Sequence, residues 1–168
     1  MRDNIRYYTG IGEDSSPNTI DLLARRVAEY LALDGFVLRT SINEGIEANL
    51  YTGAIKTNEE NVRIYTSESL SCLPLSVQED LNTAYQAGVQ KQDFFERTKK
   101  EDYLLSRLLL LGSENVKSSF VLCWTPECKL TYKTRNTILL AKELGIKVFN
   151  LADQGVRVRL ANYVLSHA

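Results

Sequence analysis

The chain has 168 residues, and its 20 Lys and Arg residues nearly balance 21 Asp and Glu residues, for a formal net charge of -1. This length is typical of one domain. A content of 44% hydrophobic and 24% charged residues excludes a wholly disordered chain. The near-neutral charge excludes a bulk positive field that would hold DNA or an anionic membrane. We therefore expect one domain spanning residues 1–168.

The cysteines and the chain start indicate a cytoplasmic setting. Cys72, Cys123 and Cys128 are an odd, sparse set, and the first six residues lack the apolar core of a secretory signal. The run Leu108–Leu111 is far shorter than the roughly 18 apolar residues of a membrane span. We expect reduced thiols and no membrane association. The single histidine, His167, with so few cysteines is a poor zinc set, so we predict no metal site.

Short apolar runs alternate with helical patterns along the chain. The predicted strands are Ile5–Thr9, Phe36–Thr40, Val62–Tyr65, Ser119–Trp124 and Val148–Leu151. The predicted helices are one that opens at Pro17 and stops at Gly35, followed by Gly45–Ala54, Leu75–Val89, Tyr103–Leu111, Thr134–Leu144 and Gly155–Ser166, with Lys91–Lys100 as a charged, exposed segment. Strand–helix alternation predicts an α/β fold, a Rossmann-like three-layer sandwich with a mainly parallel sheet of about five strands.

In such a sheet, ligands bind beyond the carboxyl ends of the strands where the strand order reverses. The first loop at that edge runs from Thr9 to Pro17 and carries Gly10, Ile11 and Gly12. Two glycines let backbone N–H groups approach a ligand, and the following helix start favours an anion. The alternative is a Gly-x-Gly turn that only connects two elements.

The second loop follows the second predicted strand and carries polar groups suited to phosphate or ribose. Its candidate ligand-binding residues are Arg39, Thr40, Ser41, Asn43 and Gly45. The alternative is that a hydroxyl or the amide caps the next helix, and the two interpretations are compatible.

The third loop places cations and hydroxyls just before a helix start, a combination that binds phosphate. Its candidate residues are Trp124, Thr125, Lys133, Thr134, Arg135 and Asn136. Trp124 or Tyr132 can stack on a base. The alternative for Trp124 is a core position at the end of a strand.

These loops, in this order, resemble the SLOG superfamily, which unites the Rossmann-like domain of the DNA-processing protein DprA (Smf) with the "Lonely guy" phosphoribohydrolases. They are most similar to the stand-alone, DprA-like group of bacteriophages. The matching segments are Thr9–Gly12 with Pro17 (TGIGSR-x-x-P), Arg39–Thr40, Gly45–Glu47 and Gly53–Ala54 (R-S-G-G-A-x-G-A-D…G-A), Phe120–Pro126 (fVvcWTP), and Thr134 with Ala141–Leu151 (GGTG…A-x-x-x-GIPVfNL). The resemblance covers about residues 6–54 and 119–151 and implies a nucleotide-binding domain.

The sequence departs from the family pattern at each loop. The positions that differ are Glu13-Asp14 for Ser-Arg, Ser41-Ile42 for two glycines, Glu47 for Asp, Tyr132-Lys133 for two glycines and Arg135 for one. The position of the phosphoribohydrolases' catalytic acid, counted from Thr134, is Thr137, which cannot act as a carboxylate acid or base. We therefore predict no catalytic residue and no cofactor. An acidic rim of Glu13, Asp14, Glu44 and Glu47 is either a glycosidic hydrolysis site or a set of solvated loop charges.

The resemblance implies, first, non-catalytic binding of a nucleotide-derived small molecule, ADP-ribose-like or a cyclic nucleotide, by a phage protein that sequesters a defence signal in the host cytoplasm. The first alternative is a DprA-like mediator that binds single-stranded DNA, which the near-neutral charge disfavours. The second is a phosphoribohydrolase or N-glycosidase. We also expect a homodimer or higher oligomer. The apolar stretch Tyr103–Leu111 is either its contact face or a buried core helix.

Overall fold

The computed structural model describes residues 4–91 and 100–168. In these ranges five parallel strands form one sheet in the order β3-β2-β1-β4-β5. The strands are β1 (Arg6–Gly12), β2 (Phe36–Thr40), β3 (Val62–Ile64), β4 (Phe120–Trp124) and β5 (Lys147–Asn150). Helices cover both faces of the sheet. The predicted α/β class and Rossmann-like three-layer sandwich are therefore confirmed.

The helices of the described ranges lie close to the predicted ones. They are α1 (Asn18–Leu33), α2 (Ile46–Ala54), α3 (Ser67–Ser71), α4 (Leu75–Lys91), α5 (Lys100–Leu111), α6 (Arg135–Glu143) and α7 (Gln154–His167). The short helix α3 was not predicted. Most of the predicted charged segment, residues 92–99, lies outside the described residues. Among the helices of residues 4–91 and 100–168, none has the length and apolar character needed to cross a bilayer.

The sheet is buried on both faces, which is why its central strands are almost continuously apolar. On one face, Tyr8 and Leu122 pack with residues of α1, α2 and α7. On the other face, Ile11 and Val121 pack with residues of α5 and α6. Successive strand residues point to opposite faces, so Tyr8 and Ile11 enter different cores. The two cores fix the sheet between two helical layers.

Helix α5 is part of the core. Tyr103 and the four leucines Leu108–Leu111 are all at most 4% exposed. This confirms the interpretation of the stretch as a buried core helix. The expectation that it offers a contact face to a second copy is wrong, because its apolar side chains already pack on the sheet.

Strand β1 continues three residues beyond its predicted end at Thr9, so Gly10 and Gly12 are strand residues and not loop residues. A Cβ atom on Gly12 would lie 1.8 Å from Cγ2 of Ile46, and one on Gly10 would lie 2.6 Å from Cδ1 of Leu50. Both contacts are with buried side chains of α2. The glycines therefore allow α2 to pack closely against the end of β1.

Arg39 connects β2 to the segment between α5 and β4. Its side chain is fully buried, and its guanidinium donates to the carbonyl oxygens of Leu110 (3.2 Å) and Val116 (2.6 Å). It also donates to Glu114 (2.5 Å), and it lies 3.8 Å from the centroid of the Tyr7 ring. Burial alone would raise the pKa of Glu114, but the hydrogen bond and the charge of Arg39 together lower it. The charge of Arg39 is thus balanced within the fold, by Glu114.

We expect Arg39→Met to lower the free energy of unfolding by about 3 kcal/mol or more, because it leaves buried acceptors without their donor. Urea unfolding followed by circular dichroism measures the change. The matched control is Arg26→Met on α1, where the side chain is 59% exposed. The control should change stability by less than about 1 kcal/mol. Equal effects of the two substitutions would contradict a structural role for Arg39.

Candidate functional site

A cavity of about 660 Å³ lies where the strand order reverses, between the carboxyl ends of β1 and β4. This is the edge at which open parallel sheets bind ligands, and the volume lies within the range of ligand cavities. Its walls come from all three predicted loops, from the first turns of α2 and α6, and from one side of α5. The lining residues are Ile11, Glu13, Asp14, Ser41, Asn43, Glu47, Glu101, Asp102, Leu105, Ser106, Leu109, Tyr132, Lys133, Asn136 and Thr137.

Five of the sequence-predicted ligand-binding residues line this cavity. They are Ile11, Ser41, Asn43, Lys133 and Asn136. Ile11 lies at the end of β1, Ser41 and Asn43 follow β2, and Lys133 and Asn136 lie just before and within the first turn of α6. The structure therefore brings together side chains from three loops that are separate in sequence.

Four predicted residues belong to the sheet and do not line the cavity. Gly10 and Gly12 pack against α2. Arg39 lies on the α5 face of the sheet, two residues before Ser41, and is directed to the segment before β4, as described above. Thr40 is fully buried, and its hydroxyl donates to the carbonyl oxygen of Gly10 (3.0 Å).

Three further predicted residues support the loops around the cavity. Gly45 has a φ of 78°, and a Cβ atom there would lie 2.3 Å from the carbonyl oxygen of Glu13. Its lack of a side chain lets the first two loops touch. Thr125 is fully buried, and its hydroxyl accepts a hydrogen bond from Nδ2 of Asn150 (2.6 Å). Thr134 is fully buried beside Thr131, with 2.8 Å between the two hydroxyl oxygens.

The last two predicted residues lie at the margins of the third loop. Trp124 is half-buried and packs on the core formed with α1, α2 and α7, as its alternative interpretation proposed. Arg135 is exposed at the first residue of α6. Neither residue lines the cavity.

Glu47 is the most deeply buried carboxyl group of the cavity, at 3% exposure. It lies in the first turn of α2, and its Oε2 accepts a hydrogen bond from the backbone N–H of Asn43 (2.9 Å). Burial raises the pKa of this carboxyl group, and hydrogen bonds from the backbone of Asn43 and Gly12 and the charge of Lys133 oppose the shift. Glu47 thus connects the end of β1, at Gly12, with the second loop, at Asn43.

The acidic residues Glu13 and Asp14 are bound to the third loop. Glu13 accepts a hydrogen bond from the hydroxyl of Thr131, and Asp14 forms an ion pair with Lys133. These two contacts connect the end of β1 with the segment before α6. They also mean that Lys133 already has one carboxylate partner.

Helix α5 supplies lining residues that sequence reasoning did not find. Glu101, Asp102, Leu105, Ser106 and Leu109 all face the cavity. Their spacing of one, three or four residues places them on one side of a helix. Two acidic residues and a serine on a leucine-rich helix were a visible signal, but nothing in the sequence placed this helix next to the loops.

Ser106 of α5 also contacts Thr137 of α6. Its hydroxyl oxygen lies 2.9 Å from that of Thr137, and both residues are nearly fully buried. Two hydroxyl groups therefore stand at this wall of the cavity.

The charge of the cavity is strongly negative. Among the described residues, five carboxylates and one cation line it, which gives a formal charge of -4. The described lining also includes the aromatic residue Tyr132, which is 90% exposed. Carboxylates accept hydrogen bonds from hydroxyl and amino groups, and they repel phosphate.

The cysteines lie away from this chemistry. Cys123 is buried in β4, and burial raises the pKa of its thiol to about 12, so it is not a reactive thiolate. Cys72 and Cys128 are exposed and unpaired. Within residues 4–91 and 100–168, no group of three or more His, Cys, Asp or Glu side chains is arranged to hold a metal ion.

A solved structure is similar to this chain over 94% of its length and 81% of that chain, with a TM-score of 0.41 and 8% sequence identity. It is described as giving insights into the unique single-stranded DNA binding mode of DNA processing protein A from Helicobacter pylori. No protein family matches the sequence, and no curated protein matches it. At this identity and TM-score, the similarity assigns no function.

We expect Glu47→Gln to make the variant increasingly stable relative to the parent as pH rises above the ordinary glutamate value of about 4.3. A raised pKa in the folded state contributes stability below the unfolded-state value, and this is lost as pH rises through the folded value. The difference in unfolding free energy between variant and parent, measured by urea unfolding from pH 4 to pH 8, should therefore increase with pH. A flat difference would show that Glu47 titrates normally.

Proposed function

We propose that this chain is a single SLOG-like domain that binds a nucleotide-derived small molecule without transforming it. The observation that carries the proposal is the cavity at the strand-order reversal, lined by side chains from all three loops and by α5. Its volume of about 660 Å³ accommodates a nucleoside with an attached phosphate group. Ligand-sized volume at this edge of a parallel sheet is typical of nucleotide-binding domains.

The carboxylates favour the ribose part of such a ligand. A carboxylate beside the end of a strand accepts hydrogen bonds from ribose hydroxyls in many dinucleotide-binding domains. Here Glu13, Asp14 and Glu47 line the cavity beside β1 and α2. Tyr132 offers a ring on which a base can stack. The side chains thus match a ribosyl group and a base.

The phosphate of the ligand is expected to lie against Lys133. Among the described lining residues, Lys133 is the one cation, and it precedes the N-terminus of α6. A helix start and a lysine together stabilise a phosphate. Asp14 competes for the same ammonium group. This favours ligands with few phosphate charges, such as a cyclic nucleotide or an ADP-ribose-like molecule, over nucleoside triphosphates.

Binding without turnover is supported by the wall around Thr137. Thr137 and Ser106 bond to each other through their hydroxyl groups, and a hydroxyl group does not act as a carboxylate acid or base. A protein that binds a signalling nucleotide and leaves it intact lowers the free concentration of that nucleotide. Sequestration of a defence signal in a bacteriophage-infected cell is the role that fits this property.

We expect Lys133→Glu to weaken binding of cyclic AMP or ADP-ribose by about ten- to a hundredfold, because a charge-assisted hydrogen bond contributes roughly 1.5–3 kcal/mol. The matched control is Lys129→Glu. Lys129 lies in the same segment, has a side chain that is 74% exposed, pairs with Glu127, and does not line the cavity. Isothermal titration calorimetry with both nucleotides, and with adenosine for the phosphate-free part, measures the effect.

The two variants have the same net charge, so a loss confined to Lys133→Glu locates the phosphate. Equal affinities in both variants and the parent would reject this cavity as the site. Native mass spectrometry of gently purified protein is an independent check. A stoichiometric nucleotide-sized mass that is lost on denaturation is the expected result.

Single-stranded DNA binding, which the description of the Helicobacter pylori structure reports for that protein, is the alternative function. The formal charge of -4 among the described cavity residues opposes a phosphate backbone. We therefore expect no salt-dependent binding of fluorescein-labelled oligo-dT at micromolar protein concentrations and 150 mM salt, measured by anisotropy. Tight binding that weakens steeply with salt would replace the small-molecule proposal with DNA binding.

A further inference from the structure

A second cavity, of about 330 Å³, lies on the α1 and α7 side of the sheet. Its floor contains Phe36 and Phe120, the first residues of β2 and β4, so it lies toward the amino ends of the strands. The nucleotide cavity is at the carboxyl ends, and the two cavities share no lining residue. The second cavity is therefore a separate site.

Aromatic rings form most of the floor. The ring centroid of Phe120 lies 5.6 Å from that of Phe36 and 5.8 Å from that of Phe149. Leu160 and Tyr163 of α7 form the opposite wall. Rings at these distances and angles attract a further planar ring in offset or edge-to-face contact. A volume at the small end of the ligand range suits one or two fused rings better than a whole nucleotide.

A buried hydroxyl group among these rings has no partner. Tyr8 is 1% exposed, and its ring lies 5.5 Å from that of Phe120 and 6.4 Å from that of Phe36, between centroids. Within the described residues, its hydroxyl oxygen makes no hydrogen bond. Burial raises the pKa of the Tyr8 phenol, and the proximity of Tyr163 raises it further. A neutral hydroxyl in this place is a donor without an acceptor, which is rare in a folded protein.

A cation stands at the mouth of the same cavity. Arg159 lines it, is exposed, and has its guanidinium 5.7 Å from the centroid of the Phe149 ring. No carboxylate of residues 4–91 or 100–168 forms an ion pair with it. A guanidinium group binds carboxylates through two parallel hydrogen bonds. Apolar rings inside and a guanidinium at the rim complement a flat apolar molecule with one negative end.

We propose that this cavity binds a small aromatic carboxylate, with its ring system among Phe36, Phe120 and Phe149 and its carboxylate on Arg159. Tyr8 is not a lining residue, so it supports the rings of Phe36 and Phe120 and does not contact the ligand. This site is independent of the nucleotide cavity, so the two proposals stand or fall separately.

The test uses 2-naphthoate, its neutral analogue 2-naphthalenemethanol, and 6-hydroxy-2-naphthoate as probes, with dissociation constants from calorimetry or ligand-observed NMR. The parent protein should bind 2-naphthoate at least about tenfold more tightly than the alcohol. Arg159→Gln should abolish that preference. Arg26→Gln, an exposed arginine of α1 outside this cavity, should preserve it.

Two further variants probe the interior. Leu160→Trp, which fills the cavity, should abolish binding of all three probes. Tyr8→Phe should leave the affinities for 2-naphthoate and 6-hydroxy-2-naphthoate unchanged, because Tyr8 does not line the cavity. Leu160→Trp can disturb the core, so its melting temperature is compared with that of the parent. If Leu160→Trp is unfolded, the test rests on the surface variant Arg159→Gln.

Absence of saturable naphthoate binding up to millimolar concentration overturns the proposal. It is also overturned if Arg159→Gln leaves the preference for the acid unchanged. Lys133→Glu, in the nucleotide cavity, should leave naphthoate affinity unchanged. If it lowers that affinity as strongly as Arg159→Gln does, the probe binds at the other cavity and this site is rejected.

Discussion

The structure depends on the close approach of α2 to the end of β1. Gly12 has no side chain where Ile46 packs, and a Cβ atom would lie 1.8 Å from that residue's methyl carbon. This contact brings the first turn of α2 to the carboxyl edge of the sheet. Glu47, the next residue, then accepts hydrogen bonds from the backbone of Gly12 and Asn43. One packing constraint thus places the buried carboxyl group of the cavity at the carboxyl ends of the strands.

The register of the sheet explains why Arg39 does not line the cavity. Arg39 pairs with Thr9 of β1, two residues before Ile11, so it lies deeper in the sheet than the lining residues, on the face covered by α5. Arg39 therefore points toward the carbonyl groups of Leu110 and Val116, and Glu114 balances its charge. The cation is used to hold α5 and β4 in place. Because α5 also lines the cavity, Arg39 acts on the site through the fold and not through contact with a ligand.

The electrostatics of the two cavities are opposite. The cavity at the carboxyl ends of the strands has five described carboxylates and a lysine that is already paired with Asp14. The cavity near the amino ends is apolar inside and has at its rim the cation Arg159, which forms no ion pair with a carboxylate of the described residues. A near-neutral chain can therefore present two locally charged sites of different sign. The net charge of the chain therefore does not indicate which ligand either cavity would bind.

The sequence by itself determined the fold class and the bounds of most elements, because buried parallel strands and amphipathic helices have distinct periodicities. The sequence also predicted that Ser41, Asn43 and Lys133 lie at the same edge of the sheet, because the carboxyl ends of parallel strands share one edge. Only the tertiary structure decided the role of Arg39, because its hydrogen-bond partners Leu110, Glu114 and Val116 lie 71 to 77 residues further along the chain.

The tertiary structure also decided the roles of Gly10 and Gly12 and the place of α5. A glycine that allows a helix to pack closely and a glycine that allows a ligand to approach look the same in a sequence. Only the contacts with Ile46 and Leu50 show that Gly10 and Gly12 are of the first kind. The leucines of α5 predict burial but not the partner. The packing of this helix beside the loops, a contact between segments far apart in the chain, adds Glu101 and Asp102 to the cavity. These two carboxylates change the formal charge of its described lining from -2 to -4.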